Sequence, residues 1–250
     1  MLKTLFTPGR TELAGNHTDH QNGRVLASAI DRGISADFEA NGGRMVHVTS
    51  DQSAAFDVRI DHLTPKTADF GTPKALVRGM LAVFSGLGLK IGGFDAHVKS
   101  SLPLGAGLSS SAAFEVLIGK ILSELFNQGS VDPVVIARAA QEAENRFFGQ
   151  PCGLMSQLTC ALGKTIYVDF KTNTIEPVEA DFDAMGLTLC LTDTGGSFTV
   201  AVRIDCVGHL RVSGGVGEQN FCGGVDFFGA GADEFDGTGG GGFGTLGSFA

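Results

Sequence analysis

The chain has no Cys-x-x-Cys pair, no lysine- or arginine-rich block, no apolar run approaching 18 residues and no Gly-x-x-x-x-Gly-Lys-[Ser/Thr] loop. Each absence excludes a class. The five cysteines, Cys152, Cys160, Cys190, Cys206 and Cys222, are odd in number and lack histidine partners at metal-ligand spacing. That excludes a disulfide framework and a zinc site, and reads as reduced, mostly buried thiols of a cytoplasmic protein. A net charge of −9 without a basic cluster argues against nucleic acid and for a small-molecule partner. The N-terminal stretch MLKTLFTPGR is interrupted by Pro8-Gly9 too early for a signal peptide, and no membrane span is expected.

What is present describes a globular protein. Of 250 residues, 43% are hydrophobic and 18% charged, enough for a substantial core in one large domain or two small ones. Residues 1–197 alternate strand and helix patterns. Short runs rich in β-branched and aromatic residues predict strands at 33–40, 45–50, 54–60, 93–100, 164–170 and 187–192. Thr72-Pro73 and Asp132-Pro133 are N-cap and first-turn pairs that open helices ending at Gly86 and at Phe148-Gly149. A third helix carries apolar residues at Phe114, Leu117, Ile118, Ile121, Leu122, Leu125 and Phe126, the spacing of one helical face.

Just before that stripe lies Pro103–Val116, PLGAGLSSSAAFEV. A strand-to-helix turn there puts the serines on the first helical turn. Unpaired N–H groups and about half a positive charge make such an end attractive to anions. Gly105 and Gly107 let a phosphate approach the backbone, and serine hydroxyls add hydrogen bonds or a Mg²⁺ ligand. The same residues also suit a plain serine-capped turn. Ser110 stands where a Gly-x-Gly-x-x-Gly loop has its third glycine, so this is not the dinucleotide fingerprint.

Two further stretches decide between these readings. Pro8–Ile30 reads PGRTELAGNHTDHQNGRVLASAI, and Gln141–Gly163 reads QEAENRFFGQPCGLMSQLTCALG. With the Gly-Ser loop they resemble, in order and spacing, the sugar signature, phosphate loop and catalytic helix of galactokinases in the GHMP kinase superfamily. The resemblance covers about residues 5–197. It implies an α/β fold of the two-layer α+β kind, with a ribosomal-protein-S5-domain-2-like N-terminal domain over 1–170 and an incomplete C-terminal domain over 171–250. It also implies transfer of the ATP γ-phosphoryl group to the anomeric hydroxyl of galactose, with Mg²⁺.

Carried over by position, the resemblance gives Arg10 a place beside the transferred phosphoryl group. Asn16, His17, Asp19 and Gly153 match sugar contacts, and Gly105, Ala106, Gly107, Leu108, Ser109, Ser110 and Ser111 match the ATP loop. Ser111 and Glu144 match the Mg²⁺ ligands. The histidine-containing sugar signature disfavours relatives acting on mevalonate or homoserine.

Two positions depart from the pattern. Asn16 replaces the glutamate of Gly-Glu-His-Thr-Asp in many galactokinases, and still offers one donor group and one acceptor. Ser156 replaces the aspartate of Pro-Cys-Gly-[Ile/Leu]-Met-Asp-Gln, the family's proposed base. A hydroxyl does not accept a proton at neutral pH as a carboxylate does, so a catalytically weak sugar and ATP sensor stands as the alternative to an active kinase. Whether Ser156 is an inactivating substitution, a natural sensor's residue, an engineered trap or a sequence error stays open at this stage.

After Ser197 the pattern changes. Residues 198–250 hold 15 of the 37 glycines, with no helical stripe and only short apolar fragments such as 198–204. The expectation is a poorly packed, truncated or frame-shifted tail. The run at Thr238–Gly244 echoes the family's third glycine motif, or is coincidence in a glycine-rich stretch.

Overall fold

The computed structural model describes residues 1–103, 106–182 and 184–188, with the backbone of Val202–Ile204 and Leu210–Val212. One mixed sheet carries the molecule: β1 (Lys3–Ala14), β2 (Arg24–Ala40), β3 (Met45–Ser50), β4 (Phe56–Arg59), β5 (Phe94–Ser100), β6 (Thr165–Asp169) and β7 (Thr174–Pro177). The order is β4-β3-β5-β2-β6-β7, with β1 also on β2. Strand β2 organises this arrangement. Its first part pairs with β6 and its second with β5, both antiparallel, while β1 pairs along 26–38 and therefore occupies the opposite edge.

Four helices lie beside the sheet: α1 (Pro73–Gly86), α2 (Ser110–Phe126) and α4 (Met155–Leu162) touch its strands, and α3 (Pro133–Ala143) packs on those three helices. The helix starts follow from the expected caps. Thr72 accepts a hydrogen bond from the Ala75 N–H, and Asp132 accepts one from Val134, each followed by proline at the first helical position. Helix α2 is buried on more than the single face its stripe implies, because sheet and neighbouring helices surround it. Leu117, Ile118, Ile121 and Leu122 meet Phe38 and Phe94 of the sheet, Met80 and Phe84 of α1, and Leu158 of α4 in one core. Burying each such side chain contributes about 1.5–3 kcal/mol.

Several elements differ from the sequence expectation. Strands β1 and the first part of β2 are missing from it because Pro8-Gly9 and Gly15–Gly23 read as turns. Proline is tolerated in β1 because the strand lies at a sheet edge, beside a register shift between Pro8 and Arg10. The expected end at Gly149 of the helix opened by Asp132-Pro133 is present, but the last stretch, Glu144–Phe148, widens into a π turn closed by Gly149 in the left-handed region. Helix α4 lacks a side-chain cap and β7 is a four-residue edge strand, so neither announces itself. Most of the strand expected over 187–192 lies outside the described residues. So does most of 171–250; within it the described backbone continues the main sheet through Pro177 and adds one short antiparallel pair, β8 (Val202–Ile204) with β9 (Leu210–Val212). No helix among the described residues is long and apolar enough to cross a membrane.

Helix α1 reaches α3 through a glycine. A Cβ on Gly79 would lie 2.7 Å from the Cβ and 3.0 Å from the Cα of Ala143. Gly79→Val is expected to lower unfolding stability by about 1–3 kcal/mol in urea titrations, because rigid backbone must move. A second prediction concerns Glu115, a fully buried acid on α2. Burial, helped by the nearby Glu144 charge, pushes its carboxyl well above the ordinary range. The folded state therefore keeps a proton that the unfolded chain releases, so this group's stability contribution is full below the unfolded value and declines as pH rises. The decline reaches at most about 1.4 kcal/mol per pH unit. Glu115→Gln should remove that slope, and unfolding of both proteins at pH 5 and pH 8 measures it.

Candidate active site

The register shifts of β1 prepare the site. Between them, Arg10, Thr11 and Glu12 pair with Ala29, Ser28 and Ala27, so Arg10 and Glu12 point to the same face. Arg10 is 1% exposed. Its guanidinium donates from Nε and Nη2 to Ser156 Oγ at 3.0 and 2.8 Å, and from Nη1 to the Gly107 carbonyl at 2.9 Å. Its backbone N–H donates to the Leu108 carbonyl at 3.2 Å. Gly9 permits that approach, since a Cβ there would lie 2.8 Å from the same carbonyl oxygen. One arginine thus joins the sugar stretch, the Gly-Ser loop and α4.

The loop enters α2 through Gly107 and Ser109, both in the left-handed region. Ser109 occupies the N-cap position without capping; its hydroxyl instead donates to Ser156 Oγ at 3.1 Å. Three donors therefore converge on Ser156 Oγ, more than the two lone pairs of a hydroxyl accept in good geometry. Ala106 and Leu108 lie in the loop, and Ser110 and Ser111 on the first helical turn. Gly105 falls outside the described residues.

The sugar-type residues reach the same helix. Gly15, Asn16 and His17 form three consecutive left-handed residues, a conformation that asparagine tolerates better than most side chains do. Glu12, 1% exposed, accepts from the His17 backbone N–H at 2.9 Å and lies 2.5 Å from His17 Nδ1. Asp19 accepts from the Met155 N–H at 3.1 Å, at the start of α4. Gly153 is required there: a Cβ would sit 1.8 Å from Asp19 Oδ2.

On the other side, the π turn projects Glu144 inward, 4% exposed. Burial raises its carboxyl above the ordinary range, against hydrogen bonds from Cys152, Ser111 and Gln157 and the Arg10 charge. The Cys152 thiol, buried beside that acid, is pushed far up and stays protonated. Cys152 and Cys160, the cysteines among the described residues, are free. Glu144 and Ser111 are hard oxygen donors in hydrogen-bond contact at a helix start, a set that suits Mg²⁺. No group of three or more His, Cys, Asp and Glu residues that could hold a metal ion occurs among the described residues.

Among the described residues, then, the structure brings Arg10, Ser156, Gly107 and Ser109 into one hydrogen-bonded junction, with Asp19 and Gly153 on one side and Ser111 and Glu144 on the other. Asn16 is exposed. Sequence reasoning missed Glu12, Glu115 and Gln157. Glu12 had a signal in its position two residues after Arg10 on a strand, and Glu115 as an acid between Phe114 and Val116 in a mostly apolar helix. Gln157 had none beyond its place beside Ser156.

The chain is similar to galactokinases and to other GHMP kinases. The galactokinase galactose-binding signature matches residues 3–36, and the GHMP kinases N terminal domain matches residues 75–164. The galactokinase of Pyrococcus furiosus is 38% identical over 173 residues, 68% of this chain and 47% of that protein. The galactokinase of Clostridium tetani is 29% identical over 197 residues, 77% and 49% of the two chains. The crystal structure of Lactococcus lactis galactokinase complexed with galactose superposes with a TM-score of 0.66 at 29% identity, covering 71% of this chain and 47% of that one. Methanococcus jannaschii mevalonate kinase, TM-score 0.61 at 17% identity, shares the fold. The chain spans about half the length of the curated relatives it matches. Galactose-binding signature and kinase domain follow one another here as in these relatives, and the chain belongs to the galactokinase family of the GHMP kinase superfamily.

Proposed function

We propose that this chain serves phosphoryl transfer from ATP to the anomeric hydroxyl of galactose, giving ADP and galactose 1-phosphate. The observation that carries this reading is the junction of Arg10, Ser156 and Ser109, which ties the sugar signature to the Gly-Ser loop across one side chain. Asp19, held by the start of α4, and His17, held by Glu12, supply fixed polar groups for sugar hydroxyls, and Asn16 lies at the exposed rim. Gly153 keeps the backbone close enough for Asp19 to be held there.

The loop from Gly105 through Ser111 leads into the α2 N-terminus, which suits a phosphate chain. In the reaction the anomeric oxygen forms a bond to the γ-phosphorus, the bond from that phosphorus to the β–γ bridging oxygen breaks, and the hydroxyl proton leaves to solvent. Arg10 offers positive charge where phosphoryl charge spreads. Ser111 and Glu144 would hold Mg²⁺, which when bound neutralises phosphate charge. Ser156 orients Arg10 but is not a base, so positioning and electrostatics carry the rate. The residues over 1–170 form the proposed N-terminal domain, and a cytoplasmic location accords with the reading.

Galactose-dependent ADP release with Mg-ATP tests the proposal on the chain itself and on Ser156→Asp. The expected outcome is slow turnover in the unmodified chain and a kcat about 10²- to 10⁴-fold higher in Ser156→Asp. A silent unmodified chain beside an active Ser156→Asp variant would mark a kinase scaffold lacking its base, the sensor or trapped-mutant reading. Gly153→Ala separates the two substrates. Its Cβ displaces Asp19 from the Met155 N–H, so galactose affinity, read by calorimetry, should drop about tenfold while ADP affinity and melting temperature hold.

A further inference from the structure

Behind the metal-facing pair lies a buried polar group that the proposed chemistry leaves unused. Gln157, on α4, is 1% exposed. Its Nε2 donates to Glu144 Oε2 at 2.7 Å and lies 3.5 Å from Glu115 Oε2. A primary amide has two N–H bonds, so one nitrogen serves two carboxyls on two different elements. The amide is oriented by its nitrogen, which faces both carboxyls, while its oxygen is buried without a hydrogen-bond partner among the described residues. Glu115 stands four residues after Ser111, one turn further along the same face of α2. That face therefore offers Ser111 to Glu144 and Glu115 to the amide that holds Glu144.

The backbone at Glu144 is fixed: its N–H donates to the Ala140 carbonyl and its carbonyl accepts from Gly149, across the π turn. Its carboxyl extends beyond that frame, and α4 reaches it through Gln157. We propose that Gln157 is a positioning residue that fixes the Glu144 carboxylate toward Ser111 for a divalent cation, with Glu115 bracketing the amide from the other side. The inference rests on the reading of Glu144 as the Mg²⁺ ligand. Groups of this kind, one step behind the ligands, set ligand orientation and metal affinity.

The test measures ADP binding by calorimetry with and without Mg²⁺ on the whole chain, and takes the ratio of the two dissociation constants. Gln157→Met, similar in length and without an amide, is expected to shrink that ratio about tenfold, with metal-free ADP affinity and melting temperature unchanged. Gln157→Asn withdraws the amide by one methylene and should give the same loss with a smaller risk to folding. Retention of the wild-type ratio in both variants, while Glu144→Gln abolishes it, overturns the positioning role alone. A wild-type chain indifferent to Mg²⁺, or a Glu144→Gln variant that keeps the full effect, overturns the reading of Glu144 and the inference with it.

Discussion

A charged guanidinium taken almost wholly out of water sets the terms for this site. Desolvating a cation costs several kcal/mol unless hydrogen bonds and opposing dipoles replace its hydration, so the surroundings of Arg10 must be built to fixed geometry. That requirement explains features which otherwise look unrelated. The register shift in β1 turns Arg10 inward, Gly9 lets its backbone reach the loop, Gly107 turns a carbonyl toward it, and α4 begins where its second residue, Ser156, can accept. Each element comes from a different part of the chain, and the arginine is what they share.

The same logic explains what was legible beforehand. Helices α1 and α3 were readable to the residue at their starts, because Thr72-Pro73 and Asp132-Pro133 encode their own termini locally. Strand β1 was not, because Pro8-Gly9 carries a local turn signal that its edge position and register shift override. The candidate site divides in the same way. Arg10, Asp19, Glu144 and the serines stood out through motif order, whereas Gln157 and Glu12 matter only through contacts across 13 residues of turn and helix or around a left-handed loop. Their residue types alone carry no such information.

Buried acids give the site a second constraint. Glu115 and Glu144 face one amide, and two ionised carboxyls in that space would repel. Full burial, with the Glu144 charge, pushes the Glu115 carboxyl well above its ordinary range, while hydrogen bonds and the Arg10 charge oppose the burial that raises Glu144. Of the two carboxyls, Glu144 is the one with hydrogen bonds and an arginine to favour its charged form. The asymmetry comes from position: Glu115 lies on the inner face of α2, and Glu144 on a turn at its mouth.

Position 156 separates two tasks that a carboxylate performs together in the family pattern. One is structural, to accept the Arg10 fork; the other is chemical, to accept a proton. Serine retains the first, since Arg10 still reaches it at 2.8 and 3.0 Å. Yet two N–H donors and the Ser109 hydroxyl crowd a single oxygen with two lone pairs, while a carboxylate has two oxygens and about four acceptor sites. The donor set around residue 156 is thus shaped for more acceptor capacity than serine provides. A serine here accepts part of that donor set and, as a hydroxyl, supplies no base at neutral pH.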